Sequence, residues 1–218
     1  LLILDPGPSS TPVGERLSDP PPVEVMLELG TGTPSERVAR WAYRIAETDV
    51  FWSLSTSSAM RMTTPSRALA QAVVGALGGR ASQDLLMRVE TALHETFANA
   101  LVHGNLGLPS LCELEGDAGH MDYDDAVAER LADGARADRR VEVSAFCETD
   151  CLRIRVSDEG DGLPLENWNE SLAGGAYALT HADKSGRGLY LTAMFCDELN
   201  RYDEGRTIEL CFQPEMAA

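Results

Sequence analysis

The stretch His94-Glu95-Thr96-Phe97-Ala98-Asn99-Ala100-Leu101-Val102-His103-Gly104-Asn105 decides how the chain reads. It closes a helix predicted from about Ser82 to Gly104. Ser82 is the expected N-cap, and Asp84 sits in the first turn, where the helix dipole favours a negative charge. At about 100° per residue, Leu86, Val89, Leu93, Phe97 and Ala100 share one stripe, the pattern of a core-facing surface. Glu95, Asn99 and His103 recur at i, i+4 and i+8 and make a second stripe almost opposite the first. A carboxylate, an amide and an imidazole in one row are either a solvated face or one wall of a polar site. His94 points elsewhere on the wheel.

Two later segments favour the polar site. Arg153 to Ser157 reads as a strand and runs directly into Asp158-Glu159-Gly160-Asp161-Gly162, a D-x-G-x-G turn. Ser185-Gly186-Arg187-Gly188-Leu189 then opens a helix predicted from Leu189 to Leu199. An E-x-x-x-N helix, a strand with D-x-G-x-G and a G-x-G-L helix, in that order, resemble the ATP-binding domain of the GHKL superfamily. That superfamily holds gyrase, a heat-shock chaperone, histidine kinases and mismatch-repair ATPases. The resemblance covers about residues 50–212. It implies an α+β fold, a two-layer sandwich of Bergerat type with a mixed, mostly antiparallel sheet and helices on one face. The order of elements read from the residues points the same way.

The remaining chain fits one domain with additions. Residues 1–22 carry Pro6, Pro8, Pro12, Pro20, Pro21 and Pro22 and read as a linker or tail rather than a packed element. Residues 23–49 form an N-terminal extension, with a strand over Val23 to Leu29 and a helix from Pro34 to about Glu47. The ATP-binding domain proper is expected over 50–218. It begins with a strand at Val50 to Leu54 and a helix capped by Thr64. Residues 112–140 are an acidic surface insertion with a helix at about 122–133, ending in Arg136, Arg139 and Arg140. Val141 to Phe146 and Leu152 to Val156 form a hairpin around Glu148-Thr149-Asp150. Residues 163–184 show no period and read as a lid.

Composition narrows the function classes. The chain is 44% hydrophobic and 24% charged, as soluble globular proteins are. No run of 18 apolar residues exists, so no membrane span is expected, and Leu1 to Leu4 is too short for a signal-peptide core. A formal charge of −17 repels phosphate backbones and argues against direct nucleic-acid binding. Cys112, Cys147, Cys151, Cys196 and Cys211 form no C-x-x-C pair and read as reduced thiols of a cytoplasmic protein. Trp41, Trp52 and Trp168 read as core or rim residues.

The resemblance assigns roles along this frame. Asn99 offers a hard amide oxygen for Mg²⁺, and Glu95, one turn earlier, lies where a carboxylate orients or deprotonates an attacking hydroxyl. Asp158 would accept from the adenine amine, while Gly160 and Gly162 let backbone approach the nucleotide. Gly186 and Gly188 precede a helix N-terminus that cradles phosphate, flanked by Lys184, Arg187 and Leu189. His103 joins this cofactor-binding set as the last member of the polar stripe.

Within the superfamily the chain looks most like bacterial anti-sigma-factor serine/threonine kinases. His103-Gly104-Asn105 follows directly on E-x-x-x-N-A, the segment between Gly162 and Gly186 is short, and Asp197-Glu198 follow the G-x-G-L helix. The resemblance implies an Mg-ATP-dependent kinase that phosphorylates an antagonist protein and sequesters a sigma factor, with a homodimer expected. Residues 1–48 and 112–140 exceed the minimal family member and set that simple dimeric switch in question. Two alternatives stay open. One is a nucleotide-gated binding module with little phosphotransfer. The other is the catalytic domain of a histidine kinase, although the F-x-P-F segment is replaced by Leu163 to Trp168.

Overall fold

The computed structural model describes residues 2–4, 21–29, 34–78, 81–109, 123–148, 150–169, 172 and 187–214. In chain order the elements are β1 (Leu2–Leu4), β2 (Val25–Glu28), α1 (Ser35–Glu47), β3 (Val50–Ser55), the short α2 (Thr56–Ala59) and α3 (Pro65–Ala76). Then follow α4 (Gln83–Asn99), a π-helical turn (Ala100–Asn105), α5 (Tyr123–Ala132), the short α6 (Gly134–Ala137), β4 (Arg140–Cys147) and β5 (Leu152–Asp158). The last are α7 (Arg187–Phe195), β6 (Glu198–Tyr202), a 3₁₀ turn (Asp203–Gly205) and β7 (Thr207–Phe212).

The strands form one seven-stranded sheet in the order β1-β2-β3-β4-β5-β7-β6. β1 pairs with β2 and β2 with β3 in parallel, while every other pair is antiparallel. The α+β class and the mixed, mostly antiparallel sheet expected from the sequence are therefore present. Alternation along the strands sets the two faces. Val141, Val143 and Ala145 of β4 and Ile154 and Val156 of β5 point into the main core, where they meet Trp52, Leu54 and Leu210. α3 and α7 pack beside α4, which lays Leu85, Val89, Leu93 and Phe97 on that core. Each of these side chains contributes on the order of 1.5–3 kcal/mol by its burial.

α1 takes the other face. It bridges the parallel strands β2 and β3, and Trp41, 1% exposed, packs on Leu27 and Phe51 in a small second core. Trp52 and Trp168 are buried as well.

The structure departs from the sequence reading at several places. Leu2–Leu4, assigned to the Pro-rich tail, pair with Met26, Leu27 and Glu28, because three apolar residues suffice to extend an open parallel edge. The helix opened at Gly188 stops at Phe195, and Glu198–Tyr202 form an edge strand on β7 where a helix was expected to continue. Thr64 makes no side-chain cap for α3; the Pro at the first helical position sets the backbone instead. The segment over 123–140 is not merely a surface insertion. Ala126 packs against Leu106 and Leu108, and Arg136 and Arg139 donate to the Leu106 and Asn105 carbonyls at 2.8 Å each. Arg140 is itself buried beside Glu28. Arg136 and Arg139 thus satisfy carbonyls at the C-terminal end of the π turn that follows α4, where cations are favoured.

Candidate functional site

The α4 helix begins as the sequence predicts, with the Leu85 N–H donating to the Ser82 hydroxyl at 3.1 Å. Its end is unusual. From Ala100 the backbone widens to π spacing, and the Leu106 N–H reaches back to the Leu101 carbonyl at 2.9 Å. Such π turns are rare and cluster at functional sites. The extra residue per turn rotates Asn105 inward, where it is fully buried. Its amide oxygen accepts from the Glu159 N–H at 2.8 Å, and its amide nitrogen donates to the Arg140 carbonyl at 3.0 Å. Asn105 thus ties α4 to β4 and to the D-x-G-x-G turn, a role that α-helical periodicity gave no way to see.

The turn after β5 is pressed onto this helix end. A Cβ on Gly160 would collide with the Gly104 carbonyl and Cα, and one on Gly104 would lie 2.7 Å from either oxygen of Asp158. Gly162 has φ +81 and lies against the Glu204 carbonyl, where a side chain would be both strained and blocked. The Asp158 backbone donates to the Arg206 carbonyl at 2.9 Å, and its carboxylate accepts from the Gly160 N–H at 2.8 Å. Burial pushes the Asp158 carboxyl up to about 6, and the Gly160 hydrogen bond and the nearby Arg139 and Arg206 offset only part of that shift. A buried carboxylate ionised near neutrality, set among glycines, is fitted to read a hydrogen-bond donor on a flat ligand.

The opposite wall comes from α4 and α7. A Cβ on Gly188 would lie 2.7 Å from Glu95 Oε2 and 3.4 Å from Asn99 Nδ2, so a side chain here would displace the tips of the polar stripe. Below it, the Thr192 hydroxyl donates to the Gly188 carbonyl at 2.9 Å and lies 3.5 Å from the Thr96 hydroxyl, a buried pair joining the two helices. Glu95 and Asn99 are half-buried, and neither side chain makes a hydrogen bond among the described residues. His103 differs from them. Its Nδ1 lies 2.7 Å from the Leu108 carbonyl, which can only accept, so this ring fastens the segment after the π turn. Leu189 is buried in the first turn of α7. Lys184, Gly186 and the Arg187 side chain lie outside the described residues, as does most of the expected lid. Residues 165–169 form a helical turn anchored by Trp168, so the start of that segment has structure where none was expected.

A family model described as a histidine kinase-like ATPase domain matches residues 57–212. The chain belongs to that family. No curated protein matches the chain. A histidine kinase-like ATPase domain is an ATP-binding domain of GHKL type, and the described residues fit a nucleotide. Gly188, Gly104 and Gly160 keep open space and close backbone approaches that a Cβ would remove, and Asp158 supplies a buried acceptor. Residues 21–56 lie outside the match, yet Arg37 of α1 pairs at 3.1 Å with Glu159 inside the D-x-G-x-G turn. No helix among the described residues is long and apolar enough to cross a membrane. Burial pushes the Cys147 and Cys211 thiols up to about 12 and Cys196 up to about 11, so these thiols stay protonated and poorly reactive.

Proposed function

We propose that this domain is a Mg-ATP-dependent serine/threonine protein kinase of anti-sigma-factor type, with Glu95 as its general base. The observation that supports it is the convergence of Glu95, Asn99 and Gly188 at the N-terminus of α7. Asp158, Gly160 and Gly162 would hold the adenine end of ATP. Gly186 and Gly188, with Lys184 and Arg187, would hold its phosphates. Among the described residues no group of three or more His, Cys, Asp or Glu could bind a metal alone, so Asn99 would hold Mg²⁺ together with phosphate oxygens and water. When bound, Mg-ATP supplies the phosphoryl group to be transferred.

The chain's own part is positioning and proton handling. Glu95 lies one turn from Asn99 and faces the phosphate-side helix, where it can hydrogen-bond an incoming serine or threonine hydroxyl and take its proton. The substrate would be a small antagonist protein, and the same domain would sequester a sigma factor when that antagonist is absent or phosphorylated.

The test is transfer of labelled phosphate to a protein that co-purifies with the domain, measured beside Mg-ATP affinity. Glu95→Ala is expected to lower transfer by roughly 10²–10⁴-fold while leaving affinity nearly unchanged. A wild-type domain that binds ATP but labels no protein, itself included, would replace the kinase with a nucleotide-gated binding module.

A further inference from the structure

Arg140, the first residue of β4, joins the N-terminal extension to the D-x-G-x-G turn. The residue is 6% exposed. Its Nη2 donates to the Ser53 carbonyl at 2.6 Å and to the Glu28 carbonyl at 2.9 Å, and its Nε donates to the Ser53 hydroxyl at 3.3 Å. The guanidinium lies 5.0 Å from the centre of the Trp41 ring, and Nη1 lies 3.7 Å from Glu28 Oε2. Glu28 is buried as well, and its carboxylate accepts from the Ser55 N–H at 2.6 Å and the Ser58 hydroxyl at 2.7 Å. Burial pulls the Arg140 pKa down, and Glu28 is the largest of the influences that hold it up.

The backbone of the same residue serves the turn. The Arg140 N–H donates to the Glu159 carboxylate at 2.8 Å, and the Arg140 carbonyl accepts from the Asn105 amide at 3.0 Å. Asn105 in turn accepts from the Glu159 N–H at 2.8 Å. Arg140, Asn105 and Glu159 thus close a ring of hydrogen bonds beside Asp158. Among the described residues, the Arg140 side chain finds its partners in Glu28, Trp41 and Ser53, all of which precede residue 57, where the family match begins. The matched residues by themselves would leave this guanidinium buried and unpartnered.

We propose that Glu28 is a positioning residue for nucleotide binding, acting through Arg140 and Asn105 on the turn that carries Asp158. The proposal rests on the reading of Asp158 as the adenine acceptor. A buried guanidinium deprived of its carboxylate is strongly unfavourable, so Arg140 would turn toward water. The strand end that supplies its N–H and carbonyl would shift with it, opening the ring and loosening Asp158. Arg37 reaches Glu159 only through a partly exposed pair, so the buried Glu28–Arg140 contact is the stronger of the two links from the extension.

The experiment is calorimetric titration of the full chain with Mg-ATP and, separately, with Mg-tripolyphosphate, which lacks the adenosine that the turn would hold. Glu28→Gln keeps the side chain's shape and removes its charge. It should weaken Mg-ATP binding by roughly tenfold, as residues coupled in one network do, and leave Mg-tripolyphosphate binding unchanged. Adding Arg140→Met removes the orphaned charge while keeping the backbone of residue 140, so the double variant should recover most of the ATP affinity. Glu28→Asp, which withdraws the charge by one methylene, should show a smaller loss of the same kind and stands in if Glu28→Gln does not fold. Leu69→Ala, a truncation in the main core, should lower the melting temperature and leave both affinities unchanged. Wild-type ATP affinity in both Glu28 variants would overturn the proposal, as would equal losses of ATP and tripolyphosphate. A double variant no better than Glu28→Gln would also overturn it. A wild-type chain that binds no ATP would overturn the nucleotide reading itself, and this proposal with it.

Discussion

The two ends of the candidate site are built on different principles. The Asp158 end is complete without a ligand: Gly104 and Gly160 touch backbone to backbone, and Asn105 and Gly160 have their hydrogen bonds made. The Glu95 end is not complete in the same sense. Its carboxylate and amide face Gly188 with no hydrogen bond among the described residues, and the chain just before α7 lies outside them. The first end resembles a packed core and the second a set of polar groups waiting for charge. Replacing the packed glycines of the first end should therefore register as lost stability, and changes at the second as lost ligand binding.

A pair of glycine replacements probes that difference with the largest expected effect. Gly160→Ala pushes a methyl into the Gly104 backbone, which cannot swing away, so it should lower stability by about 1–3 kcal/mol or more in denaturant titrations. Gly188→Ala meets only the tips of the Glu95 and Asn99 side chains. It should leave the melting temperature nearly unchanged while Mg-ATP affinity falls. If Gly188→Ala unfolds the domain as readily as Gly160→Ala, the two ends do not differ as described.

Asp158→Asn comes next. The folded pKa of about 6 lies above the ordinary carboxylate value, so the fold binds this proton more tightly than the unfolded chain does. The resulting stability is fully present below about pH 4 and is lost as pH rises through about 6. The Asn variant should therefore be more stable than the wild type at pH 8, by about 1–3 kcal/mol, with the gap closing toward pH 4 in thermal melts. ATP affinity should fall by about 1–3 kcal/mol in the same variant through loss of the charge-assisted bond. A stability gap that is equal at pH 4 and pH 8 would remove burial as the cause.

Arg37→Ala should have the smallest effect. The pair with Glu159 is partly exposed, and such pairs contribute about 0–1 kcal/mol. Because Asn105 and the Arg140 N–H also hold Glu159, nucleotide affinity should change by no more than a few-fold in calorimetry. A complete loss would show that the Asp158 end needs the N-terminal extension to be in place.

The parts of this architecture legible in the sequence were those governed by a regular period or a glycine pattern. α4 and the β4–β5 hairpin follow from alternation and helical spacing, and the D-x-G-x-G turn follows from where glycines must lie. Asn105 was opaque because a π turn breaks the 3.6-residue spacing on which any wheel depends. Arg140 read as part of a surface basic cluster, since nothing local shows that Glu28, more than a hundred residues away, neutralises it within the sheet. Leu2–Leu4 read as tail because parallel edge pairing is decided by β2 and not by the three residues themselves. His103 shared the stripe with Glu95 and Asn99, but the bond that draws it to Leu108 forms across the irregular turn.

The most direct test of the account is calorimetric titration with ATP, with and without Mg²⁺, of the wild type and of Asn99→Ala. The arrangement of Asn99 beside Glu95 and Gly188 predicts that tight binding by the wild type requires Mg²⁺ and that Asn99→Ala abolishes it. Equal ATP affinity in the presence and absence of Mg²⁺, or an Asn99→Ala variant that binds as the wild type does, would contradict the account.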